Sequence, residues 1–369
     1  MKKLLFLSIS FLLVSFISGL FAQTASFQTG KIGVEINQFG RVRIHAPAIG
    51  ATIQIDRSSI LAGVGRTEVF DYKNDADMVV APFTVTNPTK SDFEIFSVID
   101  NSYNNLPPKF EVRINAFGWH NEGFIVVKFT VINRETTVKN TRIGIEIIPQ
   151  PDGTYGNETI KFDPTNMIAQ SFRDTGVRTG YKILNTTASG FRVIDWFSTY
   201  FVGDSLLWDA LNYNNFDLTY TGTGDGTVTF LSQPPVSISP NDSAHFFIGI
   251  AVANTESELI ANMNLAQQKY NLLVNVEDNL VPFAYSLSQN YPNPFNPMTK
   301  IQFSLPKKEK VTIDVFNVFG EFIARVVDNE YEAGIYTLEF DGKNLSSGTY
   351  FYQLVAGEFK STRKMILIK

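Results

Sequence analysis

The sequence predicts an all-β protein, in which a large β-sandwich closes with one C-terminal helix and is followed by a small β-sandwich. Three observations indicate this fold class. Between Gly30 and Ala253, apolar and polar residues alternate as they do in half-buried strands. A single helical pattern follows Asn254, and short strand-like runs then resume towards the C-terminus.

The strand pattern of the first part is regular. Alternation is clear at 32–36, 110–114 and 143–147, whereas 124–132 and 246–252 are apolar on both sides. Strands of the second kind lie inside layered structures, so we expect sheets packed on both of their faces. No sustained helical period appears before Asn254.

The one predicted helix runs from Glu256 to about Leu273. Thr255 and Glu258 have the spacing of a capping box, and an apolar stripe begins at Leu259. We expect this stripe to pack on the last sheet and close the domain.

The N-terminus has the features of an export signal. Lys2 and Lys3 precede an apolar stretch diluted by serines, and Ala22 supplies the small residue that a signal peptidase needs. We predict a signal peptide over 1–22, with a membrane anchor as the alternative. No later apolar run is long enough to span a bilayer, so no transmembrane segment is expected after signal removal.

Composition excludes several function classes. The chain contains no cysteine, which excludes disulfides, thiolate metal sites and a cysteine nucleophile. Its formal charge of −5 does not favour binding to the negatively charged backbone of nucleic acid, so no nucleic-acid partner is expected. HExxH, GxSxG and P-loop motifs are absent, and we expect no cofactor.

Composition shifts divide the mature chain into a β-rich domain at 23–274, a linker at 275–289 and a small sandwich at 290–369. The linker loses periodicity and contains Pro282.

The small sandwich carries a family likeness. Its motifs are, in order, Tyr291-Pro292-Asn293-Pro294-Phe295-Asn296-Pro297, the strand 311–317 with Gly320, Gly348 with Tyr350, and the run from Lys364 to Lys369. Together they resemble the type A C-terminal sorting domain of the type IX (Por) secretion system. An ordinary immunoglobulin-like module that spaces its neighbour is the alternative.

This resemblance implies an immunoglobulin-like sandwich that an outer-membrane translocon recognises as its partner. The protein would then be secreted or held on the outer cell surface, which it reaches through the periplasm.

The large domain has a likeness of its own. The runs 124–147 and 239–246 resemble secreted β-sandwiches related to the supersandwich of galactose mutarotase-like proteins, which implies a supersandwich-like fold. Such domains often carry an Asp-aromatic-Asp element, of which this chain keeps only Asp152. The resemblance therefore implies no ion-binding or catalytic role for this element.

Candidate catalytic residues are few. His120 follows Trp119 at a strand-turn boundary, and an enzyme of mutarotase or lyase type would use it with an acid such as Glu122 or Glu146. The alternative, a turn histidine beside a core tryptophan, is favoured.

The sequence offers one candidate metal site. Asp71, Asp75 and Asp77 cluster like calcium ligands, but their spacing misses the EF-hand pattern, and a solvated loop is the favoured alternative.

The densest aromatic region contains Trp196, Tyr200 and Trp208. Exposed rings beside Asp195 would suit a sugar-binding surface, although core packing is the commoner role. The sequence thus favours a non-catalytic domain that binds extracellular glycan or mediates surface interactions. A carbohydrate-active enzyme and a structural surface protein without a small ligand are the alternatives.

Overall fold

Antiparallel strands make up most of the computed structural model, which describes residues 23–174, 176–196, 203–275 and 285–369. The chain divides into two compact units, the first ending at Leu273 and the second beginning at Val274. The predicted signal peptide, Tyr200 and residues 276–284 of the predicted linker lie outside the described residues.

Among its described residues, the first unit consists of strands and two helices. Its strands are β1 (Thr24–Gln28), β2 (Gly33–Asn37), β3 (Val42–Ala46), β4 (Thr52–Gly65), β5 (Glu68–Phe70), β6 (Asp77–Thr84), β7 (Phe93–Asp100), β8 (Phe110–Gly118), β9 (Phe124–Asn133), β10 (Lys139–Pro149), β11 (Thr159–Asp163), β12 (Ile168–Phe172), β13 (Arg178–Ile183), β14 (Gly190–Asp195), β15 (Thr219–Thr221), β16 (Thr227–Ser232), β17 (Val236–Ile238) and β18 (Ser243–Ala253). The helices are α1 (Gly203–Leu211) and α2 (Glu256–Asn275), and a 3₁₀ turn spans Pro151–Gly153.

These strands form two nine-stranded sheets. Sheet I has the order β1-β2-β3-β4-β10-β16-β14, with β5 paired to β4 and β17 to β10. Sheet II has the order β15-β11-β12-β13-β18-β9-β8-β7-β6. The structure therefore confirms the predicted all-β class.

The facing sides of the two sheets enclose the largest core. Ile143, Ile145 and Ile147 of β10 meet Phe129 and Phe246 of sheet II there, and all five are fully buried. Each such side chain contributes about 1.5–3 kcal/mol when it leaves water. The predicted alternation of β10 thus identifies its core-facing residues.

Helix α2 covers the outer face of sheet II. Its Leu259 and Met263 pack on Phe124 and Phe247 of β9 and β18. The expectation of sheets on both faces of these strands is therefore wrong, because a helical stripe supplies the second cover. One half of the capping box forms as predicted, with the Glu258 N–H donating to the Thr255 hydroxyl at 3.2 Å. The Glu258 carboxylate accepts the Asn254 N–H at 3.0 Å, one residue before the predicted partner.

Helix α1 covers part of the outer face of sheet I, and no sequence pattern predicted it. Its nine residues make only about two and a half turns, too few for a helical period to register. Leu211 packs on Ile148 and Phe230. A Cβ on Gly144 would lie 2.6 Å from Leu211 Cδ2 and 2.7 Å from the Leu231 carbonyl oxygen, so this close approach requires glycine.

The second unit is a small β-sandwich, as predicted. Its strands are β19 (Ser286–Leu287), β20 (Met298–Leu305), β21 (Glu309–Phe316), β22 (Phe322–Tyr331), β23 (Gly334–Asp341), β24 (Gly348–Ala356) and β25 (Phe359–Leu367). They form the sheets β19-β20-β23 and β22-β21-β24-β25. Phe303, Ile313 and Tyr352 lie in the core between them.

Gly144→Ala should lower the free energy of unfolding by about 1–3 kcal/mol, because the added methyl group meets a backbone oxygen that cannot rotate away. Gly65→Ala in the neighbouring strand β4 is the matched control, since nothing lies within 4 Å of its Cβ position. Urea denaturation of both variants measures the difference. Equal stabilities would show that α1 does not rest on Gly144.

Candidate functional site

Tyr352 ties the segment that opens the second unit to its larger sheet. Its buried hydroxyl accepts the Asn290 N–H at 2.7 Å and donates to the Ser288 carbonyl at 2.6 Å. Burial raises the pKa of Tyr352 to about 12, so the hydroxyl keeps the proton that it donates.

The proline-rich motif lies along β25. Phe295 is only 2% exposed, its N–H donates to the Ile366 carbonyl, and its carbonyl accepts the Ile368 N–H, both at 2.9 Å. The Asn293 side-chain oxygen accepts the Ile366 N–H at 2.9 Å. The motif thus adds a short parallel stretch beside the last strand.

Other motif residues remain accessible. Tyr291 is 81% exposed, and Gly320 adopts a φ of 79° in the turn after β21, a conformation that favours glycine. The remaining motif residues predicted from the sequence lie on or after the last two strands: Gly348, Tyr350, Lys364 and Lys369.

In the first unit, a groove opens beside β14, the strand that ends sheet I. This edge groove holds about 570 Å³ and is lined by Arg192, Val193, Ile194, Tyr213, Phe216, Asp217, Leu218, Thr219 and Tyr220.

Asp217 organises the edge groove. Its carboxylate accepts the Val193 N–H at 2.8 Å and the Tyr213 hydroxyl at 2.7 Å, and its own N–H donates to the Phe191 carbonyl at 3.0 Å. Asp217 therefore occupies the place where another strand would pair with β14.

The guanidinium group of Arg192 packs on the ring of Tyr213 in the groove. The guanidinium carbon of Arg192 is 5.3 Å from the centroid of the Tyr213 ring. The hydrogen bond from the Tyr213 hydroxyl to Asp217 raises the pKa of Tyr213, and burial raises it further. The phenol therefore stays protonated. Among the described residues, no carboxylate forms an ion pair with Arg192.

Two further rings complete the wall. Phe216 stacks on Phe162 with 4.6 Å between centroids. Burial, helped by a hydrogen bond to Asp195, raises the pKa of Tyr220 to about 12. The groove thus combines aromatic surface, one guanidinium and a carboxylate held in a fixed orientation.

A smaller cavity of about 280 Å³ lies where α1 meets the outer face of sheet I. This outer cleft is lined by Asp71, Lys73, Asn74, Glu146, Ile194, Gly203, Asp204, Leu206, Leu207 and Phe230. Glu146 is buried on β10 and pairs with Arg57 of the neighbouring β4. The guanidinium carbon of Arg57 lies 4.9 Å from the Tyr72 ring centroid.

Burial raises the pKa of carboxyl groups in and beside this cleft. It raises the pKa of Glu146 against the opposing effect of Arg57, and that of Asp204, to which the Asp71 charge adds. Asp75, which accepts the Asp71 N–H at 2.8 Å, has its pKa raised to about 6. Carboxyl groups of this kind can donate hydrogen bonds or exchange protons in mildly acidic solution.

The predicted catalytic residues are not assembled into one site. His120 is exposed and packs edge-on against Phe93, with 4.6 Å between ring centroids. It lies in the β8–β9 turn of sheet II, whereas Glu146 faces the outer cleft on the far side of sheet I. Glu122 is half-buried near His120 in the chain. As catalytic residues, all three stay predictions.

The predicted metal ligands are partly separated. Asp71 and Asp75 are bonded to each other, whereas Asp77 begins β6 opposite Asp100 of β7. Across the described ranges, no group of three or more histidine or acidic side chains is arranged to hold a metal ion.

The predicted aromatic residues pack locally. Trp196 meets Tyr155 edge-on at 5.1 Å, and Trp208 lies over Gly63 on the face of α1 that covers sheet I. Both stay predictions as ligand-binding residues. The aromatic density between 196 and 213 was the sequence signal for this region, but it did not single out Arg192 or Asp217.

The second unit matches a known family. Residues 289–369 fit the family described as "Secretion system C-terminal sorting domain". The second unit is a type IX sorting domain. A sorting domain has the type IX secretion machinery as its partner and directs the protein to the cell surface or out of the cell. In this one, Phe295 and Tyr352 hold the opening motif against the final strands.

Solved structures resemble the chain at low identity. A bacterial glucoamylase complexed with acarbose is 14% identical with a TM-score of 0.49, covering 67% of this chain and 34% of its own. A galactose mutarotase-like protein from Lactobacillus casei ATCC 334 is 8% identical with a TM-score of 0.40, covering 62% of this chain and 100% of its own.

An aldose epimerase homologue from C. elegans is 7% identical with a TM-score of 0.37, covering 64% of this chain and 100% of its own. The chain thus spans about a third of the glucoamylase, and none of these resemblances transfers an activity to it. No curated protein sequence matches the chain. Within the described residues, no helix has both the length and the apolar character needed to cross a bilayer.

Asp75→Asn should change how stability depends on pH. Because the pKa of Asp75 rises from 3.8 to about 6 on folding, the stability that its proton contributes is complete below the ordinary pKa and is lost as pH rises through about 6. As pH rises from about 4 to about 6, the free energy of unfolding of the variant should therefore increase relative to wild type by on the order of 1 kcal/mol, after allowing for solvent screening.

Urea denaturation at a series of pH values measures this difference. Gly65→Ala, which removes no titrating group, should follow the wild-type profile throughout. A stability gap between Asp75→Asn and wild type that stays constant with pH would contradict the prediction.

Proposed function

We propose that the protein is a type IX cargo whose first unit binds extracellular glycan in the edge groove without transforming it. In this proposal a signal peptide occupies 1–22, the glycan-binding domain 23–274, a linker 275–289 and the sorting domain 290–369. The mature protein acts outside the cell, either released or held on the surface.

The edge groove carries the proposal. Sugars present C–H faces that pack on aromatic rings and hydroxyl groups that need oriented polar partners. Tyr213, Phe216 and Tyr220 supply the rings, while Arg192 and the carboxylate of Asp217 supply the polar groups. Since Asp217 is fixed by two hydrogen bonds, the site needs little rearrangement to receive a ligand.

Export supports the same interpretation. A sorting domain brings the first unit to the outside of the cell, where glycans of other cells and of the surroundings are accessible to it. A groove open along one edge of a sandwich accepts a chain that continues beyond the site in both directions, as a polysaccharide does.

Ending the chain at Gln289 should block export. Without 290–369 the translocon lacks its recognition domain, so the protein should accumulate in the periplasm of a host with a functional type IX system. Cell fractionation with mass spectrometry of the mature termini measures the distribution.

The full chain carrying Arg192→Gln is the control, because its substitution lies in the first unit and its sorting domain is intact. If the truncated protein reached the surface as well as this control does, the second unit would not act as the sorting signal.

Removal of either groove tyrosine should weaken glycan binding. Tyr213→Ala and Tyr220→Ala each delete a ring face, and truncation of an aromatic anchor in a binding site costs about 2 kcal/mol. Affinity should therefore fall roughly tenfold or more. A glycan array identifies the ligand, and calorimetry on the full-length protein measures the loss.

Tyr103→Ala is the matched control, because Tyr103 is 72% exposed and does not line the groove. Tyr213→Phe removes the hydroxyl group but keeps the aromatic ring, so this variant should retain most of the affinity. A flat array, or equal losses from Tyr103→Ala and Tyr220→Ala, would rule out binding in the groove.

A further inference from the structure

We propose that the edge groove selects glycans that carry a carboxylate, such as uronic acid polymers, and that Arg192 binds the acid group. This inference rests on the proposed function and names the ligand class of the same site. It starts from the unused charge of Arg192.

Arg192 differs from those arginines of the first unit that form ion pairs. Arg41, Arg57 and Arg134 each lie against a carboxylate of a neighbouring strand or turn. Arg192 instead rests on the Tyr213 ring, and no described carboxylate pairs with it. A guanidinium stacked in this way keeps its in-plane N–H groups for an acceptor that arrives from outside.

Two acids of this region are bonded elsewhere, and neither forms an ion pair with Arg192 among the described residues. Asp217 uses one oxygen for the Tyr213 hydroxyl and the other for the Val193 N–H. Asp195 accepts the backbone N–H and the hydroxyl of Thr223, at 3.3 and 3.2 Å. Asp217 therefore holds the groove wall in place, and Asp195 holds the turn at Thr223.

The geometry suits a sugar acid better than a small anion. A carboxylate matches the planar fork of arginine and accepts two parallel hydrogen bonds. A ligand held only by Arg192 would leave the rings of Phe216 and Tyr220 uncovered, whereas a pyranose carrying the carboxylate would contact both kinds of surface. The ligand we infer therefore joins a ring face to an acid group.

The net charge of the protein makes Arg192 the group on which binding of an acidic glycan depends. The chain carries a formal charge of −5, so an acidic polymer is not attracted to the protein as a whole. Binding must depend on the local guanidinium and should weaken as salt rises.

The test compares two forms of one ligand on the full-length protein. Calorimetry with oligogalacturonate and with its methyl ester varies the acid group and preserves the sugar. We expect the acid form to bind about tenfold tighter or more, in line with a charged bidentate hydrogen bond. Arg192→Gln should abolish this preference and leave weak, equal binding of both forms, whereas Arg192→Lys should keep part of it.

Arg113→Gln is the matched control, because Arg113 pairs with Glu111 on sheet II and should leave the preference unchanged. Equal binding of acid and ester by wild type would overturn the inference and leave the proposed glycan binding standing. Preference for a sulfated oligosaccharide over both would overturn the carboxylate assignment. Absence of binding to any sugar, including neutral ones, would remove the proposed function together with the inference.

Discussion

Both large sheets are apolar on both faces, and the need to cover their outer faces shapes the first unit. The facing sides cover each other, which leaves two outer faces exposed to water unless other elements pack on them. Helix α2 covers sheet II with a continuous stripe. Helix α1 is shorter and covers only part of sheet I, and the outer cleft lies beside it, where Glu146 and its partner Arg57 are buried. The cost of burying this pair is offset only because the two charges lie together.

The sequence predicted those parts of the fold that depend on local patterns. Alternation in β10 identified Ile143, Ile145 and Ile147, and the capping box located α2. The same alternation suggests that Glu146 faces solvent, yet α1 and the 71–74 loop bury it. That burial depends on contacts between segments far apart in the chain, which no period along one strand can reveal.

The candidate site shows the same limit. Aromatic density between 196 and 213 drew attention to part of this region, but Arg192, Tyr213 and Asp217 meet only because the loop after α1 returns along the edge of β14. In the second unit, by contrast, the motif residues were recognisable together. Phe295 and Asn293 form hydrogen bonds directly with the end of the chain at Ile366 and Ile368. The first and last motifs of the sorting domain therefore pack together, and both are recognisable in the sequence.

The carboxylate of Asp217 stands where a neighbouring strand would otherwise pair with β14. An unpaired strand edge invites another copy of the chain to add to the sheet, a hazard for a protein that works outside the cell without chaperones. A charged side chain at this edge satisfies the Val193 N–H while repelling a second acidic copy. The edge groove and the protection against edge-to-edge association therefore share the carboxylate of Asp217, so a substitution there that reshapes the groove would also free the Val193 N–H for another strand.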